Sequence, residues 1–450
     1  FSIIKKSNLD VFNKIFRILS WLLPGLVLKR WIVTSAIGLI TSLLGIAIWT
    51  NLRPLYWLIE TFFWLMTGLT SIFPVSILGP FILFIGLLLI CLGQNRSINS
   101  IQKALVPQKE TLLVDALRVN SKLSRGPNIV AIGGGTGLST LLKGLKNYSS
   151  NISAIVTVTD DGGSSGILRK QLGVQPPGDI RNCLAALSNE EPTLTRLFQY
   201  RFSGGGGLEG HSFGNLFLSA LTTITGSLEK AVQASSQVLS VQGQVIPATG
   251  IDVMLWAELE DGEKIFGESL IGKSVKPISR IGCLPENPPA LKNAIEAIKE
   301  ADLIVLGPGS LYTSLLPNLL VPEIVEELLK NNSPKIYISN LMTQPGETDG
   351  LDVYQHIKSI EKQLFNFGVN TRIFNAILSQ GEFEGSSLID YYRSRGAEPV
   401  ICNKKRLVSE GYHVLQAPLY SKRITPTLRH DYRRLARAVM YLYKKIKKAN

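Results

Sequence analysis

Cysteine is scarce in this 450-residue chain. The four residues Cys91, Cys183, Cys283 and Cys402 stand far apart and form no CxxC. That excludes a disulfide framework and a zinc ribbon, and fits a reducing compartment. Histidine is equally rare (His211, His356, His413, His430), and no HExxH or other metal-ligand cluster occurs. Charged residues make up only 18% of the chain. Gly and Pro follow no period and no internal repeat is visible, which excludes collagen, long disorder and solenoids. What is abundant is apolar surface: 45% hydrophobic residues and a mean hydropathy of +0.19. The length exceeds one average domain. Phe1 rather than Met opens the sequence, so the natural start is expected to lie upstream.

The net charge of +13 is unevenly placed. Residues 1–110 hold 10 Lys/Arg against 3 Asp/Glu, residues 421–450 hold 10 against 1, and the stretch between holds 27 against 30. A near-neutral middle argues against a nucleic-acid-binding core. Basic ends suit a chain resting on an anionic lipid surface, so a bilayer is an expected partner. The order predicts four regions: an N-terminal membrane region over 1–110, a linker over 111–126, a large domain over 127–420, and a basic helix or tail over 421–450.

Two uncharged segments, 31–49 (WIVTSAIGLITSLLGIAIW) and 74–93 (PVSILGPFILFIGLLLICLG), have the length of membrane spans. Leu55–Phe73 carries Glu60 and reads as an interfacial or re-entrant piece. Residues 9–23 read as a basic amphipathic helix on the membrane surface. Lys5, Lys6, Lys14, Arg17, Lys29 and Arg30 precede the first span, and Arg96 and Lys103 follow the second. The positive-inside rule then places the large domain in the cytoplasm. A third span would reverse that orientation.

From residue 128 onward, short apolar runs alternate with helical spacing: 128–132, 152–158, 302–306 and 335–339 as strands, 138–145, 322–329 and 353–364 as helices. This alternation predicts an α/β fold of Rossmann-like type, a mostly parallel sheet with helices on both faces. Ligands of such sheets bind outside the carboxyl ends of the strands.

The loops at those ends carry the chemistry. Gly133-Gly134-Gly135-Thr136-Gly137 can close its backbone N–H groups on a phosphate, or be a tight βα turn. Asp160-Asp161 stands where an acid meets a ribose, could hold Mg²⁺ beside a phosphate, or could bond its own turn. Pro176–Asn182 is a rigid turn with Asp179 as expected N-cap, and Arg181 and Asn182 within reach of a phosphate or base. In Gly210–Asn215, His211 is the best general acid–base candidate, with Ser212 and Asn215 beside it. Gly307-Pro308-Gly309-Ser310 is a second anion loop, and Tyr312 could stack on a base or sugar. Two matches are set aside. Gly162–Gly166 fits GxSxG, but a nucleophile elbow needs Ser directly on the strand-to-helix turn plus a His partner, and here two Asp and two Gly separate the strand from Ser164. Gly267–Ser274 fits a P-loop pattern, but Val275-Lys276-Pro277 follows where a helix is required.

Taken together, Asn128–Thr136, Val158–Gly166, Pro176–Asn182, Gly210–Asn215, Asp302–Tyr312 and Leu341–Gly350 resemble the YvcK/CofD family, in matching order over roughly residues 127–410. The closer branch is the YvcK type. The resemblance implies a Rossmann-like fold and binding of a UDP-sugar such as UDP-N-acetylglucosamine, with no cofactor required. It implies a regulatory role in carbon allocation, cell-wall synthesis and cell shape, with cell-wall synthesis proteins and a second copy of the chain as conceivable partners. The CofD branch is a transferase that moves a phospholactyl unit from a nucleotide diphosphate donor with Mg²⁺; in that case Asp160 and Asp161 would hold the metal and His211 would move the proton. A third reading is a scaffold with a vestigial site. The carried-over ligand residues are Gly133–Gly137, Asp160, Asp161, Arg181, Asn182, His211, Asn215, Gly307–Ser310 and Tyr312.

Overall fold

The computed structural model describes residues 27–49, 53–72, parts of 74–93, 120–189, 192–274, 276–383, 387–421 and 428–449. It divides into two units, Phe1–Ser121 and Lys122–Asn450.

The first unit contains helix α1 (Val27–Trp49) and helix α2 (Arg53–Ile72). The segment 55–73 is expected to be interfacial or re-entrant; its residues 55–72 lie in one continuous helix, α2, which does not have the break of a re-entrant loop. Its threonines need no outside partner, because Thr61, Thr67 and Thr70 donate to carbonyls one turn back. Among the described residues no helix is long and apolar enough to cross a membrane. The expected span 31–49 falls within α1 and is described throughout as helix, whereas 74–93 is described only in part. The amphipathic helix expected at 9–23 lies outside the described residues.

In the second unit, seven strands form one parallel sheet: β1 (Ile129–Gly133), β2 (Ile152–Val156), β3 (Gln244–Pro247), β7 (Leu303–Leu306), β8 (Lys335–Ile338), β9 (Ala376–Gln380) and β10 (His413–Ala417). Their order is β10-β9-β8-β7-β1-β2-β3. Every strand pair in it is parallel, as expected. Strands β4 (Met254–Leu259), β5 (Lys264–Phe266) and β6 (Ile278–Leu284) form a separate antiparallel sheet that the strand-helix alternation does not foretell.

Both faces of the large sheet are buried, and the side chains alternate between two cores. Ile129, Ala131, Leu303, Val305, Ile336 and Ile338 enter one. Val130, Ile132, Ile304, Leu306 and Tyr337 enter the other. This is the period-two pattern of a strand covered on both sides. Helix α3 (Gly135–Leu145), α4 (Gly163–Leu172), α5 (Gly178–Leu187), α6 (Pro192–Gln199), α7 (Phe213–Thr225) and α8 (Leu228–Val238) follow β1 and β2. Then come α9 (Glu268–Ile271), α10 (Lys292–Lys299), α11 (Pro322–Lys330), α12 (Val353–Phe365), α13 (Ser387–Arg393), α14 (Lys404–Ser409) and α15 (Tyr432–Ala449).

Helix α15 corrects the expected division at 420. Leu435, Ala436, Val439, Met440, Leu442 and Ile446 are buried in the first core, so the basic C-terminal segment is part of the domain. Its charges occupy the outer face of an amphipathic helix, which hides its structural role from a charge count. Cys183, Cys283 and Cys402 are free thiols.

Candidate functional site

Strand order reverses between β1 and β7, which makes that pair the switch point of the sheet. The loops leaving β1 and β7 therefore lie side by side. Gly137 is pressed against the second loop so closely that a Cβ there would run into the Pro308 carbonyl. At Gly134 a Cβ would lie 2.5 Å from Asp179 Oδ2 and 2.8 Å from Thr157 Cγ2. Glycine at both positions is thus required by close approach.

Above the switch point lies a cleft of 270 Å³. Gly134, Gly135, Thr136 and Gly137 line it from the first loop, Gly309 and Ser310 from the second, and Thr313 and Ser314 from the turn beyond. Three carboxylates complete it: Asp160, Asp179 and Glu268. Asp179 is not the N-cap expected from sequence. It sits inside the first turn of α5, which Pro177 caps, and accepts from the Gly135 N–H. A carboxylate there occupies the anion position of the glycine loop. Burial, followed by the nearby Asp160 charge, pushes Asp179 up to about 7. Burial likewise pushes Glu268 up to about 8, reinforced by Asp160, Asp179, Asp161 and Glu347. Glu347 is also raised by burial, and accepts from Thr313 Oγ1 at 3.1 Å. Near neutral pH this cleft holds carboxyl groups that keep protons.

A second cleft of 270 Å³ adjoins the first and shares Thr136, Gly137, Gly309 and Ser310 with it. Pro308, Asn340, Tyr392, Arg429 and His430 face it. The Tyr392 hydroxyl accepts from Leu428 N–H at 2.8 Å, which fixes the ring. Gln344 donates to Ser310 Oγ at 2.7 Å, and Gly309 N–H donates to Asn340 Oδ1 at 3.1 Å. Burial holds His430 down at about 4, so it is neutral. Arg429 supplies a cation at this second cleft.

The remaining expected residues lie elsewhere. Tyr312, expected to stack on a ligand, is buried in the second core, and its hydroxyl donates to the Ile278 carbonyl at 3.4 Å. The Gly307–Tyr312 loop opens a π-helical turn (Leu311–Leu315), and that winding turns Tyr312 away from both clefts. Gly133 and Gly307 end their strands rather than line a cleft. Asp161 points away from Asp160: its Oδ1 accepts from Ser269 N–H at 2.7 Å, while Asp160 Oδ1 accepts from Gly162 N–H at 3.0 Å. Of the two acids expected to hold Mg²⁺, only Asp160 lines the cleft. Among the described residues no group of three His, Cys, Asp or Glu could hold a metal ion.

His211 is also outside both clefts. It is 5% exposed, and its Nδ1 lies 3.1 Å from Ser164 Oγ. Asn215 Nδ2 donates to the same oxygen at 3.1 Å and to Ser165 Oγ at 3.4 Å. The serine of the GxSxG match thus has a histidine partner after all, but inside a buried network that ties α4 to α7. Arg181 is half-buried close to Asp179 and Asp160 and donates to Asn182 Oδ1 at 2.9 Å. Its Nε has no partner among the described residues. Glu268, Tyr392 and Arg429 were not singled out in the sequence. Glu268 stands in the rejected P-loop match, and Arg429 was counted only as tail charge.

Against known proteins, the family described as 2-phospho-L-lactate transferase CofD matches residues 129–420. The chain belongs to the CofD family. A family member from Nostoc sp. is 50% identical over 423 residues, covering 94% of this chain and 92% of its own. The gluconeogenesis factor of Bacillus subtilis is 45% identical over 322 residues, covering 72% of this chain and all of its own. A crystal structure of a UPF0052 family member from Bacillus halodurans superposes with a TM-score of 0.66 at 44% identity, covering 70% of this chain and 99% of that one. Within the CofD family, then, the chain stands with the gluconeogenesis factors, and its second unit corresponds to complete relatives that have no counterpart of the first.

Proposed function

We propose that the chain is a membrane-tethered regulator that binds a nucleotide sugar, of the UDP-N-acetylglucosamine kind, across the two joined clefts. The observation that carries this reading is the shared wall. Thr136, Gly137, Gly309 and Ser310 belong to both clefts and present two glycine loops side by side. A diphosphate laid over that wall meets backbone N–H groups and the N-terminus of α3. One arm of the ligand then enters the cleft of Asp160, Asp179 and Glu268, where hydroxyl-rich sugar matches carboxyl groups. The other lies beside Tyr392 and Arg429, which suit an aromatic base and a phosphate oxygen. The regulatory role in carbon allocation, cell-wall synthesis and cell shape rests on likeness to gluconeogenesis factors. Asp160 faces the cleft and Asp161 is bonded to Ser269, so the two acids do not present a paired metal site there, and the reading needs no metal for binding.

A second reading, a CofD-like transferase acting on a nucleotide diphosphate donor, is favoured by the carboxyl groups of the ligand cleft: burial and mutual repulsion raise Asp179 to about 7 and Glu268 to about 8, the range of groups that exchange a proton near neutral pH. Calorimetric titration of residues 122–450 with UDP-N-acetylglucosamine, with and without Mg²⁺, separates the readings. Metal-independent binding with intact ligand recovered supports the regulator. Conversion of the ligand moves the assignment to a transferase, and no binding removes both.

The tether reading is supported by the surface of the first unit. In α1 and α2, large apolar side chains such as Leu39, Leu43, Ile46, Trp57, Phe63 and Trp64 are exposed on all sides. Helices apolar all round require a nonaqueous environment or a large partner. Carbonate extraction of cell membranes containing the full chain tests this: retention in the pellet is expected, and release into the supernatant removes the tether.

A further inference from the structure

The ligand clefts use the carboxyl edge of the sheet. The opposite edge carries a different feature, a hollow of 590 Å³ between the end of α3 and the start of α15. Lys143, Lys146, Arg433 and Arg437 line it, and none of its lining residues is acidic. No ion pair among the described residues engages any of the four. Lys143 lies over the Tyr432 ring at 5.1 Å, Arg433 Nε donates to the Tyr432 hydroxyl at 2.9 Å, and Lys146 Nζ donates to the Ser188 carbonyl at 2.7 Å. The nearest carboxylate in sequence, Asp431, is engaged as a cap: its Oδ1 accepts from the N–H groups of Arg433 and Arg434 at 2.9 and 3.0 Å. Burial, and then the Lys143 charge, lower Lys146 from its ordinary value, so this cluster lacks a counter-charge.

The basic surface continues beyond the hollow. On α15 the exposed side is Arg433, Arg437, Tyr441, Lys444, Lys445 and Lys448, while the opposite side is buried in the core. A cationic helix face with an exposed tyrosine (59%) matches the interfacial layer of a bilayer.

A second observation points the same way. The chain enters this unit at the same edge. Ser150 N–H donates to the Leu123 carbonyl at 3.0 Å, and Asn151 Nδ2 donates to the Ser124 carbonyl at 3.1 Å. Both tie the entry segment to the turn that follows α3, beside the hollow. Lys122 and Arg125 on that segment are exposed. In sequence the segment comes directly from the apolar first unit.

We infer that the Lys143–Lys146 hollow and the outer face of α15 dock on the phosphate headgroups of an anionic bilayer. Docking by this edge turns the opposite, ligand-binding edge toward solvent. The inference deepens the tether reading and rests on it for the nearness of a bilayer, but it assigns a lipid contact to the α/β domain itself.

The test uses residues 122–450, a unit that corresponds to chains complete without the first. Its cosedimentation is measured with vesicles of phosphatidylglycerol in phosphatidylcholine and with phosphatidylcholine alone, at low and high salt. Binding to the anionic vesicles only, released by salt, is expected. The variant K143E/R433E/R437E should bind on the order of a hundredfold more weakly, from the loss of three juxtamembrane cations. A separate variant on the far part of the helix, K444E/K448E, should also weaken it. UDP-N-acetylglucosamine titration of each variant reports that the fold is intact. Equal binding to both vesicle types, no binding, or binding unaltered in both variants overturns the inference. So does displacement from vesicles by millimolar inorganic phosphate, which would mark a small-anion site instead. Carbonate extraction of the full chain reads the tether alone, so failure of one reading is distinguishable from failure of the other.

Discussion

Asp179→Asn should stabilise the domain, and by an amount that grows with pH. Asp179 is half-buried in the wall of the cleft, accepts from the Gly135 N–H, and has its carboxyl raised from 3.8 to about 7 by burial and Asp160. The folded state therefore keeps a proton that the unfolded chain releases between about pH 4 and 7, and stability falls as pH rises through that window. Asparagine is isosteric and its carbonyl still accepts from Gly135, but it has no charge to bury. With about 1.36 kcal/mol per pKa unit, the advantage of the variant should widen by about 3 kcal/mol between roughly pH 4.5 and 8. For about 330 residues unfolding with an entropy near 0.7 kcal/mol/K, that is a widening of about 4 °C in melting temperature. Differential scanning calorimetry of residues 122–450, wild type against variant at both pH values, measures it. The other titrating groups are common to the two proteins, but Glu268 loses the Asp179 charge that helps to raise it, so the difference is read together with the same comparison on a Glu268→Gln background. A melting difference that stays constant with pH would mean that Asp179 is ionised throughout, and the account of the cleft as holding protonated acids would fail.

Three further outcomes are expected. Gly137→Ala places a methyl group against the Pro308 carbonyl, which is backbone and cannot rotate away; a loss of about 3 kcal/mol in stability by denaturant melt, together with loss of nucleotide-sugar binding, should follow. Tyr312→Phe removes only a 3.4 Å hydrogen bond in the core and should leave ligand affinity unchanged, whereas Tyr392→Ala should weaken it by about 1–3 kcal/mol in calorimetry if the ring stacks on the base. Gly144→Ala drives a methyl into the Tyr432 carbonyl at the seat of α15, so the melting temperature should fall with no change in ligand affinity at a temperature where the variant is folded.

The parallel sheet was readable because its strands are short, apolar on both faces and closed by glycine loops. Ile129–Gly133 and Leu303–Leu306 fall within a residue of the runs that announce them. The glycine loops were readable for the same reason, since few sequences place Gly133–Gly137 between a strand and a helix without a tight approach. What stayed hidden depends on side-chain direction. Tyr312 follows an anion loop in sequence, yet a π-helical turn rotates it into the core. Asp160 and Asp161 are neighbours, yet one faces the cleft and the other a loop more than a hundred residues away. Glu268 arrives from the antiparallel layer, whose return to the carboxyl edge no local pattern records. His211 looked like the acid–base group because histidine is rare here, but rarity does not place a side chain. It is Ser164, set aside for its distance from the strand end, that it touches.

The position of β1 has a consequence for how the polypeptide acquires its structure. This first strand of the sheet is an inner one, paired on one side with β2 and on the other with β7, whose partner residue Leu303 lies 174 positions after Ile129. The helix that seals its core comes last of all, at Tyr432–Ala449. A nascent chain therefore emerges from the ribosome with this inner strand half-paired until β7 has been made and one hydrophobic face uncovered until α15 has followed. Folding of this domain is late and cooperative rather than sequential, and the interval is the period in which a chaperone, or premature termination, decides its fate.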